Sequence, residues 1–188
     1  FRLAIEAYYD EICTVADHIL AAICDAVLEE RPDLHASLRP LQAPANNDGD
    51  NGTTSTSHTS ILTLLGYRVG TPHKKGRKGV AKSPLVAAHT DVGVITVLLF
   101  DNGNCAKLQR RSSDSGDGDD SWVDVELPSE VPDDPVFVVN VADCLSNLCD
   151  GHLPSTVHRV VARPTSGGAD TASLSPRSCC ALFVGLEP

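Results

Sequence analysis

Along the opening stretch, apolar residues recur every three or four positions at Ile5, Tyr8, Ile12, Val15, Ile19, Ile23 and Val27, with acidic residues scattered between them. That period matches one face of an α-helix, so the segment reads as a long amphipathic helix that leans on something else. Pro32 follows Glu30 and Arg31 and should stop it, because proline removes a backbone donor and clashes with the preceding turn. Beyond that point the pattern changes to short runs rich in β-branched and other apolar residues, at 61–69, 85–90, 94–100, 106–110, 122–127, 136–141, 157–162 and 181–184. These read as strands. No crossover helix of about a dozen residues separates them, which favours an antiparallel sandwich or barrel over a doubly wound parallel sheet.

Three stretches interrupt the runs. Residues 41–60 combine Asn, Gly and Asp with a Thr/Ser run, 71–83 are rich in Lys, Arg and Gly, and 111–121 in Ser, Asp and Gly. Each reads as a loop inserted between ordered elements. None leaves a sizeable core on either side, so the chain is not divided into separately folding units.

Composition narrows the classes further. With 188 residues, 41% hydrophobic and 21% charged, the chain is neither collagen-like, coiled-coil nor wholly disordered, and it can bury a core without disulfide or metal staples. Acidic residues number 25 against 15 basic ones, a formal charge of -10, which argues against a nucleic-acid face and for a small-molecule or protein partner. The cluster His73-Lys74-Lys75-Gly76-Arg77-Lys78 attracts anions locally, but aromatics make up only 4% of the chain. Without a stacking platform it reads as a solvated loop.

No window is apolar for long enough to span a membrane, and no signal peptide is recognisable. The chain opens on Phe1 rather than Met and reads as part of something longer. Seven cysteines, an odd number set partly within apolar runs, suit buried thiols in a reducing compartment, hence a cytoplasmic address. Their spacing does not match a structural zinc site. The stretch Gly116-Asp117-Gly118-Asp119-Asp120 lacks the ligand ladder of a calcium loop.

Chemistry concentrates in two places. In Ala88-His89-Thr90-Asp91, an imidazole and a carboxylate two positions apart share one face if the chain stays extended. His158 lies in a later strand-like run, Ser155-Thr156-Val157-His158-Arg159, and antiparallel folding can bring it opposite. Two imidazoles and a carboxylate on three corners of an octahedron leave the rest free, as non-haem iron requires, although zinc can use the same ligands. A His-x-Asp pair also arises by chance, and a strand histidine is often only a hydrogen-bonded polar residue. His18, His35, His58, His73 and His152 have weaker claims. Arg177 and Cys179 share a face by the period of two, and a guanidinium turned inward calls for an anion, best a planar carboxylate; on composition alone a surface arginine serves equally.

The series His89-Thr90-Asp91, Leu108-Gln109, Trp122, Val139-Asn140-Val141-Ala142-Asp143, Gly151, His158-Arg159-Val160 and Arg177 resembles the iron(II)- and 2-oxoglutarate-dependent dioxygenases, in their isopenicillin N synthase-like branch. The resemblance runs from about Ile61 to Glu187. It implies a mainly β fold, a double-stranded β-helix (jelly roll, cupin-like) with the amphipathic helix packed on it. The corresponding division is a helical support region at 1–40, a flexible loop at 41–60 and a catalytic domain at 61–188.

What the resemblance implies for the site is a metal held by His89, Asp91 and His158, with Arg177 on the distal carboxylate of 2-oxoglutarate. Cys179 stands where the family normally has serine, and Tyr67 is the counterpart of a tyrosine that often contacts the cosubstrate. Fe(II), 2-oxoglutarate and molecular oxygen are the implied reactants, with ascorbate a candidate for keeping iron reduced. The implied reaction couples decarboxylation of 2-oxoglutarate to hydroxylation, desaturation or cyclisation of a small organic substrate. The competing readings are an iron oxidase that uses oxygen without 2-oxoglutarate and a binding module that has kept the fold and lost turnover.

Overall fold

The computed structural model describes residues 1–41, 58–68, 84–101, 103–112, 121–126, 135–163 and 174–186. Most of the three stretches read as loops, and the basic cluster at 73–78, lie outside the described residues. Helix α1 spans Arg2–Glu30. It holds neither Gly nor Pro, and its end at Arg31 is where Pro32 begins a 3-10 turn, as the proline dictates. A short helix α2 (His35–Leu38) and a second 3-10 turn at Arg39–Leu41 complete the helical opening. Leu41, counted with the loop in the sequence reading, is buried there.

Among the described residues eight strands follow: β1 (His58–Tyr67), β2 (Val86–His89), β3 (Ile95–Phe100), β4 (Ala106–Arg111), β5 (Trp122–Asp124), β6 (Phe137–Val141), β7 (His158–Ala162) and β8 (Arg177–Leu186). Each overlaps one of the eight expected runs, but β1 begins at His58, inside the stretch read as a loop, and β8 begins earlier than expected, at Arg177. Helix α3 (Asp143–Leu148), between β6 and β7, was not expected, because its few residues are too short for a helical period to register.

The strands form two four-stranded antiparallel sheets, ordered β1-β8-β3-β6 and β2-β7-β4-β5. This corrects the expected fold. The chain is not a double-stranded β-helix or jelly roll and not mainly β: it is a mixed α/β structure in which neither sheet closes or curls. The reason is physical. Alternating patterns tell which face of a strand is apolar, but barrel closure depends on whether edge strands exchange hydrogen bonds. Here the two sheets meet through side chains, with Leu98, Cys179 and Ala181 of one packing with Cys105, Ala106, Leu108 and Val160 of the other.

The opposite face of the first sheet carries α1. Ile95, Val97, Leu182 and Val184 join Ile12, Ala16, Leu20, Cys24 and Val27 in one buried cluster. Covered on both sides, β3 reads Ile-Thr-Val-Leu-Leu-Phe with only one polar member. On α1 the buried line runs through Ala16, Leu20 and Cys24, while Val15 is 37% exposed. Small residues at 16 and 24 sit fully buried where the helix approaches the sheet, so volume decided which side of the apolar stripe faces inward. Among the described residues no helix is long and apolar enough to cross a membrane.

Gly93 shows how closely the site loop lies on this sheet. A Cβ built there would stand 2.3 Å from the Val184 carbonyl oxygen, which accepts a hydrogen bond from Val94 N at 2.7 Å. Only glycine admits that approach. The turn after Asp91 is thereby fixed to β8.

Truncation separates the two sides of α1. Leu20→Ala, which empties a 2%-exposed position, should cost about 2–4 kcal/mol in urea denaturation, whereas Val15→Ala should cost less than about 1 kcal/mol. Equal losses would place the buried stripe elsewhere.

Candidate metal centre

His89 ends β2 and pairs in register with His158, the first residue of β7. The antiparallel rung thus sets two imidazoles side by side, ring centroids 4.3 Å apart. Asp91 follows two residues after His89, where the strand has ended, and turns inward until it is only 6% exposed. Its Oδ1 lies 3.6 Å from His89 Nε2 and 3.8 Å from His158 Nε2. One candidate ligand atom from each of the three residues falls within 4.8 Å of the others, a spacing that can hold a metal ion.

The remaining atoms of the three side chains are already engaged. His89 Nδ1 is 2.8 Å from the Ala87 carbonyl and His158 Nδ1 is 3.0 Å from the Thr156 carbonyl. A carbonyl only accepts, so each Nδ1 donates to it, and the Nε2 of each ring is the atom left facing Asp91. Backbone acceptors on the far nitrogen are the usual means of orienting a metal-binding histidine. Asp91 Oδ2 accepts from Thr96 Oγ1 at 2.7 Å and from Asn140 Nδ2 at 2.9 Å. The candidate donor set is therefore two imidazole nitrogens and one carboxylate oxygen, close to one another.

The loop carrying Asp91 is held from its other side by the start of α3. Asp143 N donates to the Asp91 carbonyl at 2.8 Å, Ala142 N to Val94 O at 3.0 Å, and Thr90 Oγ1 to Asp143 Oδ2 at 3.1 Å. Behind His158, Arg159 lies over the Trp122 ring at 4.0 Å and donates to Gln109 Oε1 at 2.9 Å. Gln109 in turn donates to Asp124, which also receives Lys107. This ladder ties β7 to β4 and β5.

Tyr67, Arg177 and Cys179 form a second group. Tyr67 pairs with Arg177 and Phe100 with Cys179, whereas Thr96 beside Asp91 pairs with Phe183 further along β8. The two groups therefore occupy opposite ends of the space between the sheets. Arg177 reaches across that space, donating from Nη1 to Ala106 O at 2.7 Å and stacking on Phe100 at 4.2 Å. Its Nε is buried with no hydrogen-bond partner among the described residues, a donor that an anion would satisfy. Arg177 also borders a cleft of about 370 Å³ with Lys107, Asp124, Glu126 and Arg163, none of which belongs to the histidine group.

Sequence reasoning singled out the His89, Asp91 and His158 set but passed over Thr96 as a site residue. The available signal was its place as the single polar side chain in an apolar strand, repeated by Asn140 in Phe-Val-Val-Asn-Val. The weaker histidines lie elsewhere: His152 sits 3.2 Å from Glu30, and His73 falls outside the described residues.

A site that presents two imidazoles and one carboxylate suits a protein of the non-haem metal class. Residues 43–185 match the family model of the 2OG-Fe(II) oxygenase superfamily, and the chain belongs to that family. Clavatol oxidase claD of Penicillium crustosum is 29% identical over 160 residues, 85% of this chain and 38% of that protein. The 2-oxoglutarate-dependent dioxygenase citB of Monascus ruber is 36% identical over 75 residues, 40% of this chain and 20% of its own. A crystal structure from Shewanella oneidensis superposes with a TM-score of 0.64 at 28% identity, covering 98% of this chain and 56% of the other. A full-length Neurospora crassa protein crystallised in complex with alpha-KG gives 0.51 at 27% identity, over 68% of this chain and 33% of that one. The chain thus spans well under two thirds of the length of these relatives.

Burial pushes the Cys179 thiol up to about 12, with Cys180 adding to the effect and Arg177 opposing it. Burial likewise raises Cys24 to about 11 and Tyr8 to about 12. In the unfolded chain thiols ionise near pH 8.5. The folded state then holds protons that the unfolded state has released, so the stability the two thiols contribute is intact below about pH 8.5 and falls as pH rises toward their folded values, and that of Tyr8 falls only above about pH 10. Urea midpoints should decrease from pH 8 to pH 10, and native Cys179 should resist iodoacetamide at pH 8. Rapid labelling of Cys179 in the folded protein would contradict its burial.

Proposed function

We propose that the chain is the catalytic part of an Fe(II)- and 2-oxoglutarate-dependent oxygenase acting on a small organic substrate, with His89, Asp91 and His158 as the iron ligands. The observation that carries this reading is the convergence of two imidazole Nε2 atoms and one carboxylate oxygen, a donor set that suits iron with positions left open. Family membership supports it. When bound, iron would supply the activation of oxygen and the oxidation of the substrate. The chain's own contribution is to orient the imidazoles through Ala87 and Thr156, to offer one carboxylate oxygen, and to limit water by burying Asp91.

Arg177 is the proposed grip for the distal carboxylate of 2-oxoglutarate, and its orphaned Nε supports the assignment. Cys179 and Tyr67 flank it as a neutral thiol and a neutral phenol, both raised chiefly by burial, and are proposed as the walls of that cosubstrate subsite. Molecular oxygen as co-reactant, ascorbate as reductant, placement in the isopenicillin N synthase-like branch and a cytoplasmic address belong to the same proposal. So does a supporting role for residues 1–40 beside a catalytic region at 61–188.

Asp91→Ala should weaken Fe(II) binding at least tenfold in anaerobic calorimetry and abolish succinate release, and undiminished binding would end the assignment. Arg177→Leu should raise the 2-oxoglutarate concentration required for half-maximal succinate release by about tenfold or more, as expected when a charge-assisted contact is lost. Metal affinity should stay near the wild-type value. An unchanged cosubstrate requirement would place the arginine's role in the cleft on its other side.

A further inference from the structure

We infer that Thr96 and Asn140 are positioning residues that fix which oxygen of Asp91 is offered to the metal, and so keep that carboxylate a single-atom ligand. The inference rests on the metal-site reading above. Asp91 Oδ2 accepts two hydrogen bonds, from Thr96 at 2.7 Å and from Asn140 at 2.9 Å. The donors come from adjacent, directly paired positions, since Thr96 on β3 is the register partner of Asn140 on β6. Both are neutral groups, and the hydroxyl belongs to a residue only 2% exposed. Their side chains are the polar exceptions in two otherwise apolar strands.

A carboxylate can turn about its last bond and offer a metal one oxygen or both. Turning here would break two hydrogen bonds, one buried and one part-buried, and a buried polar group left without its partner is costly. With Oδ2 tied to the sheet, Oδ1 alone faces the two Nε2 atoms, at 3.6 and 3.8 Å. A carboxylate held to one oxygen occupies one coordination position instead of two, which keeps positions free for a chelating cosubstrate and oxygen. The two strands of the first sheet thus set the number of open positions, while β2 and β7 of the second sheet supply the imidazoles. Neither donor touches the metal point itself.

The test uses the purified chain with Co(II) as probe, read anaerobically by calorimetry and by visible absorption, which reports coordination number. Thr96→Val keeps the shape and removes the hydroxyl, whereas Thr96→Ser keeps the hydroxyl and removes a methyl. The valine variant should lose about tenfold in Co(II) affinity and show an altered absorption band, and the serine variant should retain both wild-type values. Asn140→Ala, which removes the other donor to the same oxygen at a less buried position, should alter the band in the same direction and supplies the measurement if the valine variant does not fold. In an Asp91→Ala background Thr96→Val should add nothing, since it acts through that carboxylate.

Wild-type affinity and absorption in folded Thr96→Val and Asn140→Ala would overturn the inference while leaving the metal site standing. Damage in Thr96→Ser equal to that in Thr96→Val would also overturn it, because packing alone would then explain the loss. Failure of the wild-type chain to bind Co(II) or Fe(II), or equal binding by Asp91→Ala, would overturn the metal-site reading and this inference with it.

Discussion

A carboxylate buried between two β-sheets is tolerated only if its oxygens find partners, and Asp91 organises the molecule around that requirement. One oxygen is met by Thr96 and Asn140, from neighbouring strands of the first sheet. The other faces His89 and His158, neighbours across a rung of the second sheet. The group therefore ties the relative placement of the two sheets to the geometry of the site. If the sheets shifted against one another by a single rung, the hydrogen bonds and the imidazole approach could not both be kept.

The surroundings make that placement stiff. Helix α1 covers the outer face of the first sheet with a buried line of small and branched residues, and the Asp91 turn lies on β8 at Gly93, where no larger side chain fits. From the opposite side, α3 holds the backbone of the same turn through Asp143 and Ala142. β7 is braced on its outer surface by Arg159 against Trp122 and Gln109. The elements without direct contact with the site thus act on it through the strands that carry His89, Asp91 and His158. Preorganisation of this kind suits a centre whose ligands must converge before a cation arrives.

The second group, Tyr67, Arg177 and Cys179, follows a different logic. It sits toward the far end of the inter-sheet space, where β1 and β8 pair, and it combines a cation with a buried thiol and a phenol. A guanidinium in such surroundings lacks full hydrogen bonding from the protein, as its unpartnered Nε shows. That deficit is a reason for an anion to enter.

Much of this was legible in the residues. The strand runs, the helix ended by Pro32 and the His89–Asp91 pair are local patterns, since strand alternation, proline chemistry and a two-residue spacing act within a few positions of the chain, whereas His158 joined that pair through the family resemblance. What escaped was non-local. The jelly-roll expectation failed because alternation fixes faces and is silent on whether edges join, and the two sheets meet by side chains instead. The inward turn of α1 through Ala16 and Cys24 depended on the space left by the sheet. Thr96 and Asn140 gained their role only when β3 and β6 paired in register beneath Asp91. The sequence by itself determined which side chains could bind a cation, because that is a property of their atoms; the tertiary structure decided which oxygen and which nitrogens point at it, because hydrogen bonds from distant strands occupy the others.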